Sequence, residues 1–147
     1  MEILDQLEKT KERTLPYFDL AEEELQKAYA PGKWTVKQLL HHLADAETIL
    51  YDRIRRVISE PAQVIWAFDQ DAFCKGLEYE NSPLYLNKQV FRSVRESVIY
   101  LAEKNYQSLG HLTFIHSETG RRTLKEEFDK IAWHNAHHLS QIEMALK

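Results

Sequence analysis

Thr35-Val36-Lys37-Gln38-Leu39-Leu40-His41-His42-Leu43-Ala44-Asp45-Ala46 is the stretch whose reading decides the fold. Thr35 can cap a helix, and Gln38 three residues on completes a capping box. Val36, Leu39, Leu43, Ala46, Leu50, Ile54 and Val57 then recur every three or four residues. That spacing predicts an amphipathic helix with one stripe facing a core, ending near Ser59 ahead of Pro61.

Outward from this helix, three more segments read as helical. The first covers residues 2–20, with Pro16 expected to kink or end it. A short helix over residues 21–28 is favoured by Glu22, Glu23 and Glu24 near its start. Residues 30–33 form a turn. A third helix is expected from Ser82-Pro83, a cap followed by proline in the first helical position, to about Ser108. Val90, Phe91, Val94, Val98 and Leu101 supply its apolar residues. The fourth begins at Thr123, with Glu126 completing a second capping box. Leu124, Phe128, Ile131, His138, Ile142 and Ala145 form its inner stripe. Between the second and third helices, residues 61–81 are too long for a simple turn and read as a crossover with one short helical turn. Residues 111–122 alternate apolar and polar, as in a short hairpin. The fold expected is all-α, in a single domain over residues 1–147.

Bulk properties narrow the function classes. The 147 residues carry a net charge of −4, with no basic run, so nucleic acid is not an expected partner. No apolar run approaches the ~20 residues that span a bilayer. The N-terminus lacks a signal-peptide pattern, and Cys74 is the single cysteine, so a cytoplasmic protein is expected.

The histidines carry the chemistry. His134 and His138 are four apart, one turn on a single helix face, at the edge of the inner stripe. His42 borders the apolar stripe of the second helix. His41 and His137 are rotated by about 100° from their neighbours and cannot share their direction. His42, His134 and His138 are therefore the candidate metal ligands. Three neutral imidazoles suit Zn²⁺, Ni²⁺, Cu²⁺ or Fe²⁺ and leave a fourth position open. Asn135 follows His134, so no HExxH glutamate is available as base. Asp45, three after His42, is the candidate to orient a ligand ring or act as base, against the plainer reading of a solvated carboxylate. Gln141 is placed to bond a ligand ring. Trp34, Trp66 and Phe68 are candidates for a pocket mouth. Arg53 is expected to pair with Asp69 or Asp71, against the alternative of binding an anionic substrate. Lys75 is expected to lower the Cys74 pKa. His111 and His116 are expected in solvent. Trp133, His137 and Met144 lie off the inner stripe, on a dimer surface or under the hairpin.

Taken in order, Pro31-Gly32-Lys33-Trp34-Thr35-Val36-Lys37, His42-Leu43-Ala44-Asp45-Ala46-Glu47, Arg53-Ile54-Arg55, Phe68-Asp69-Gln70-Asp71, Gly120-Arg121-Arg122-Thr123-Leu124 and the segment from His134 to Ile142 resemble the DinB/YfiT-like family of metalloenzymes. The resemblance spans nearly the whole chain. It implies a four-helix bundle with a long connection between helices two and three, and often a homodimer. It also implies one divalent metal, Zn²⁺ or Ni²⁺, on His42, His134 and His138. Some such relatives are thiol-dependent S-transferases or isomerases using low-molecular-weight thiols. The expected function is a metal-dependent enzyme acting on a small molecule, by thiol transfer or hydrolysis. The alternative is a non-catalytic dimeric metal- or ligand-binding bundle of stress-response type.

Overall fold

The structure, a computed structural model, describes residues 2–147. Helix α1 spans Glu2–Thr14, and Pro16 converts its continuation into a 3₁₀ turn, Leu15–Asp19. A one-turn α2, Glu22–Leu25, follows. Helix α3, Val36–Ser59, starts on the Thr35–Gln38 capping box, with both reciprocal bonds present. All seven residues of its apolar stripe are buried. The crossover holds a two-residue strand β1, Val64–Ile65, and helix α4, Gln70–Gly76. Helix α5 is Leu84–Asn105, strands β2 and β3 are Thr113–His116 and Gly120–Thr123, and α6 is Leu124–Ala145.

Helices α1, α3, α5 and α6 form the bundle, α3 packing on α5 and α6, and α1 on the same two. No helix is long and apolar enough to cross a membrane among the described residues. The hairpin β2–β3 pairs antiparallel, with His116 opposite Gly120 at its tight end, where Gly120 takes a φ of 80°. The crossover differs from expectation in one respect: β1 adds to β2 in parallel, Val64 beside Ile115. Two further details differ at helix starts. Pro83 itself is the N-cap of α5, with no side-chain cap bond. At α6 only half of the box forms: Thr123 accepts from the Glu126 N–H, while the Glu126 carboxylate accepts from the Thr123 hydroxyl. The inner faces also differ: Val90 is exposed, and on α6 Asn135 and Leu139 are buried where only apolar spacing through His138 was counted.

The centre of the bundle is polar. Arg95 on α5 is fully buried, and each N–H of its guanidinium finds an acceptor. Nε donates to Glu47 of α3 at 2.7 Å. Nη1 donates to the Leu7 carbonyl and the Thr10 hydroxyl of α1, at 2.9 and 2.8 Å. Nη2 donates to Asn135 of α6 at 2.7 Å and to Glu47. Asn135 in turn donates to the Thr14 hydroxyl at 2.9 Å. One side chain thus joins all four helices. Arg95→Met should lower unfolding free energy by about 3–5 kcal/mol, because it strands the Glu47 charge. The double variant Arg95→Met, Glu47→Leu should recover much of that loss. Urea denaturation in which the double variant is as unstable as the two single losses added would refute this account.

Candidate metal centre

Helices α3 and α6 bring three rings to one point. His42, His134 and His138 each offer a nitrogen within 4.8 Å of the others. The Nε2 atoms of His42 and His134 are 2.9 Å apart. Two ligands at about 2.05 Å from a tetrahedral ion lie about 3.3 Å apart, so only a few tenths of an ångström separate the pair from coordination geometry. The ring centroids sit 4.5–4.9 Å from one another, edge to face. His138 Nδ1 bonds the Gln141 side-chain oxygen at 2.7 Å. An oxygen there is an acceptor only, so Nδ1 carries the proton and Nε2 keeps its lone pair for the cluster. Gln141 is itself held by the Tyr29 hydroxyl, at 3.4 Å.

Electrostatics prepare the rings in the neutral form. Burial pushes the His42 pKa down to about 3, and the neighbouring His138 adds to the effect. His134 is pushed down to about 2, by burial first and then by His138, His42 and Lys130. His138 is lowered by burial against the opposing bond from Gln141. Neutral imidazole is the form that binds metal. His42 Nδ1 is buried with no hydrogen-bond partner among the described residues. Such clustered nitrogens, uncharged and short of partners, fit a cation of borderline softness better than they fit a hydrogen-bonded core.

The surroundings are aromatic. Trp34 meets the His42 ring edge-on at 5.1 Å, and Phe68 stacks on it at 6.4 Å. Trp66, by contrast, is 77% exposed. A cleft of ≈ 260 Å³, lined by Tyr29, Lys33, Trp34, Asp71, His138 and Gln141, opens onto the cluster at His138. A larger cleft, ≈ 550 Å³ beside Arg53 and Trp66, is lined by none of the three rings.

Other expected residues take different places. Asp45 bonds no ligand ring; its carboxylate accepts from the Tyr79 hydroxyl. Tyr79, which no local pattern singled out, stacks on His41 at 5.1 Å and meets Trp34 edge-on at 6.5 Å. His41 is fully buried, with Asn87 on its Nδ1 at 2.7 Å. Arg53 pairs with Glu127 at 3.7 Å rather than with Asp69 or Asp71. Asp69 instead caps α4, accepting from the N–H groups of Asp71 and Ala72. The Cys74 pKa is raised, not lowered, by burial and by Glu80 and Asp71. His116 is buried, its Nδ1 accepting from the N–H groups of Glu118 and Thr119. His111 is exposed. Trp133 and Met144 are exposed rather than under the hairpin, with His137 stacked on Trp133 at 5.3 Å.

The sequence pattern of the DinB superfamily matches residues 6–142. The chain belongs to the DinB superfamily. This DinB chain is 29% identical over 127 residues to a protein of Oceanobacillus iheyensis named "Putative metal-dependent hydrolase", covering 86% of the chain and 73% of that protein. A second protein of that organism with the same description is 30% identical over 129 residues, covering 88% and 74%. A solved structure, YfiT from Bacillus subtilis, is described as "a probable metal-dependent hydrolase with an unusual four-helix bundle topology". It superposes with a TM-score of 0.88 at 22% identity, over 97% of this chain and 82% of that one, which shows the shared bundle fold.

The neutral rings make stability pH-dependent. In the unfolded chain each ring takes a proton near pH 6.5, whereas in the fold His42 resists protonation down to about pH 3. Below pH 6.5 the unfolded state therefore holds more protons, and stability falls as pH falls. The melting temperature of chelator-stripped protein should drop between pH 7 and pH 5, and His42→Phe should flatten that slope. Equal slopes in the two proteins would show that these rings do not control it.

Proposed function

We propose that this DinB protein is a metal-dependent hydrolase of a small molecule, with one divalent ion on His42, His134 and His138. The observation that carries this reading is the convergence of three neutral imidazoles from two helices beside an open cleft. The names of the relatives support it. Zn²⁺ and Ni²⁺ are the ions this all-imidazole donor set favours in our reading. When bound there, the ion supplies Lewis acidity to an oxygen or sulfur in the position that the three rings leave free.

The chain's own residues do the rest. Burial keeps the rings uncharged at neutral pH, so no proton has to leave before ligation. Gln141 fixes the tautomer and angle of His138. Trp34 and Phe68 pack on the His42 ring, which is buried. Asp45 is a positioning residue rather than a base, because it acts through Tyr79 and the aromatic contacts to Trp34. A cleft of ≈ 260 Å³ suits a metabolite-sized substrate.

Protein purified without a His tag and reloaded with Zn²⁺ or Ni²⁺ should hold one ion per chain by elemental analysis. The variants His42→Ala, His134→Ala and His138→Ala should each fall below about 0.1 ion per chain. Loaded protein should hydrolyse members of an ester, amide and phosphoester panel, lose turnover with chelator and regain it on reloading. Turnover appearing only when a low-molecular-weight thiol and an electrophile are supplied would replace hydrolysis by thiol transfer. Metal uptake without turnover on either panel would favour the non-catalytic binding protein.

The homodimer is likewise our proposal, supported by Trp133 and Met144, 65% and 54% exposed on one face of α6. Trp133→Ser should shift the sedimentation coefficient from dimer to monomer; a monomeric wild type would remove the idea.

A further inference from the structure

One position before His42, α3 turns His41 away from the three clustered rings, and Asp45, four residues on, lies on the same face as His41. Both line a second cleft, of ≈ 320 Å³, between α3 and the start of α5. None of His42, His134 and His138 lines it. Its floor is polar and its rim is apolar. Leu77, just past α4, and Leu86, on the first turn of α5, stand at the rim, 52% and 46% exposed. Two exposed leucines from separate elements around a few convergent polar groups are the make-up of a small-molecule site.

The floor carries one charge and one unused donor. Asp45 accepts from Tyr79 with one carboxylate oxygen, and the other oxygen makes no hydrogen bond among the described residues. No lysine or arginine among them lies within ion-pair distance of it. Lys37, which acts on His41, is held by Glu22 at 3.3 Å and by the Glu80 carbonyl at 2.9 Å. Lys88, next to Asn87, is held by Asp19 at 2.6 Å. Burial accordingly raises the Asp45 pKa, against the bond from Tyr79, with no cation to offset it. His41 is fully buried, stacked on Tyr79 at 5.1 Å, with the Asn87 amide nitrogen on its Nδ1 at 2.7 Å. A neutral ring that accepts at Nδ1 carries its proton on Nε2. The Ser82 main chain lies beside the ring, yet Nε2 has no hydrogen-bond partner among the described residues. Helix α5 begins at this cleft, which Ser82, Pro83 and Asn87 line, and Pro83 caps it with no side-chain bond. Its first N–H groups therefore add positive potential at the His41 end.

We propose that this cleft binds an α-amino acid with an apolar side chain. The ammonium sits on Asp45, the carboxylate lies between His41 Nε2–H and the start of α5, and the side chain rests on Leu77 and Leu86. The two ends of the floor ask for opposite things: Asp45 for a cationic donor, His41 and α5 for an acceptor. A simple amine satisfies the first and leaves the second unmet, and a simple carboxylate does the reverse while facing Asp45. A zwitterion satisfies both and adds no net charge. Residues four apart on a helix hold their Cβ atoms about 5–6 Å apart, a span that the ammonium and carboxylate of one α-carbon can bridge between longer side chains. The site goes beyond the metal reading, and neither requires the other.

The competing account makes Asp45 only the anchor of Tyr79, with an empty dimple in front of it. Isothermal titration calorimetry of the full-length protein separates the two. The probes are L-leucine, isocaproate, which lacks the ammonium, isoamylamine, which lacks the carboxylate, and glycine, which lacks the side chain. Leucine should bind with a Kd about 10-fold or more below that of each of the other three. It should bind chelator-stripped and Zn²⁺-loaded protein alike. Asp45→Asn, its fold checked by a melting curve, should reduce leucine to the affinity of isocaproate. Leu86→Ser, at an exposed position, should weaken leucine and leave glycine unchanged. Isocaproate or isoamylamine binding as tightly as leucine, leucine binding unaltered by both substitutions, or no leucine binding to the wild type would overturn the proposal. So would leucine binding seen only in the loaded protein, because that would place the amino acid on the ion.

Discussion

The buried pair of Arg95 and Glu47 is the constraint on which the rest of the structure depends. A guanidinium with no exposure has to find acceptors for all its N–H groups, or its desolvation is not offset. Here the acceptors come from α1, α3 and α6, so the bond set admits one rotation and one height for each helix. Apolar packing alone is tolerant of small slides, because one methyl contact replaces another. A bidentate ion pair is not. Since Asn135 lies between His134 and the next turn, holding its side chain on Arg95 also fixes the phase at which His134 and His138 leave α6. Glu47 does the same for α3, one turn and a half beyond His42. The three-histidine cluster thus inherits its geometry from a polar contact it never touches.

This explains what the sequence made legible and what it did not. The bundle helices were readable because their stripes and caps are local: the α3 stripe is buried throughout, and the Thr35 box forms as its residues specify. The three histidines were readable because helical phase is arithmetic. His42, His134 and His138 converge, while His41 points to Asn87 and Tyr79. What escaped was the buried polar set at the centre of the bundle and beside Arg53. Arg95, Glu47, Asn135 and Glu127 look like surface residues when only apolar spacing is counted, since charged side chains are seldom fully buried. The partners of Arg95 lie between 40 and 88 positions away, and no local pattern reports such a distance.

The same limit applies to the crossover. Val64 and Ile65 are good strand formers, yet a two-residue strand exists only because β2 is there to pair with it. Likewise Arg53 lay near two acidic residues in sequence, but Asp69 was committed to capping α4, and Glu127 of a distant helix took its place. In each case the nearest candidate in the chain lost to one brought close by the bundle.

The segment that carries Trp66 and Phe68, the latter against the His42 ring, hangs by its main chain. Ile115 donates to the Gln63 carbonyl at 2.8 Å, Ser117 to the Ile65 carbonyl at 3.0 Å, and the Ala67 N–H reaches the Ser117 hydroxyl at 2.8 Å. None of these bonds uses the side chain of Trp66 or Phe68. Their backbone position is therefore indifferent to which side chains they carry, so long as proline stays out of the donor sites. The floor of the site is fixed residue by residue, through Arg95 and the ligand rings, whereas its ceiling is fixed only as a ribbon. A substitution at Phe68 therefore changes what packs on the His42 ring without disturbing the backbone that carries it.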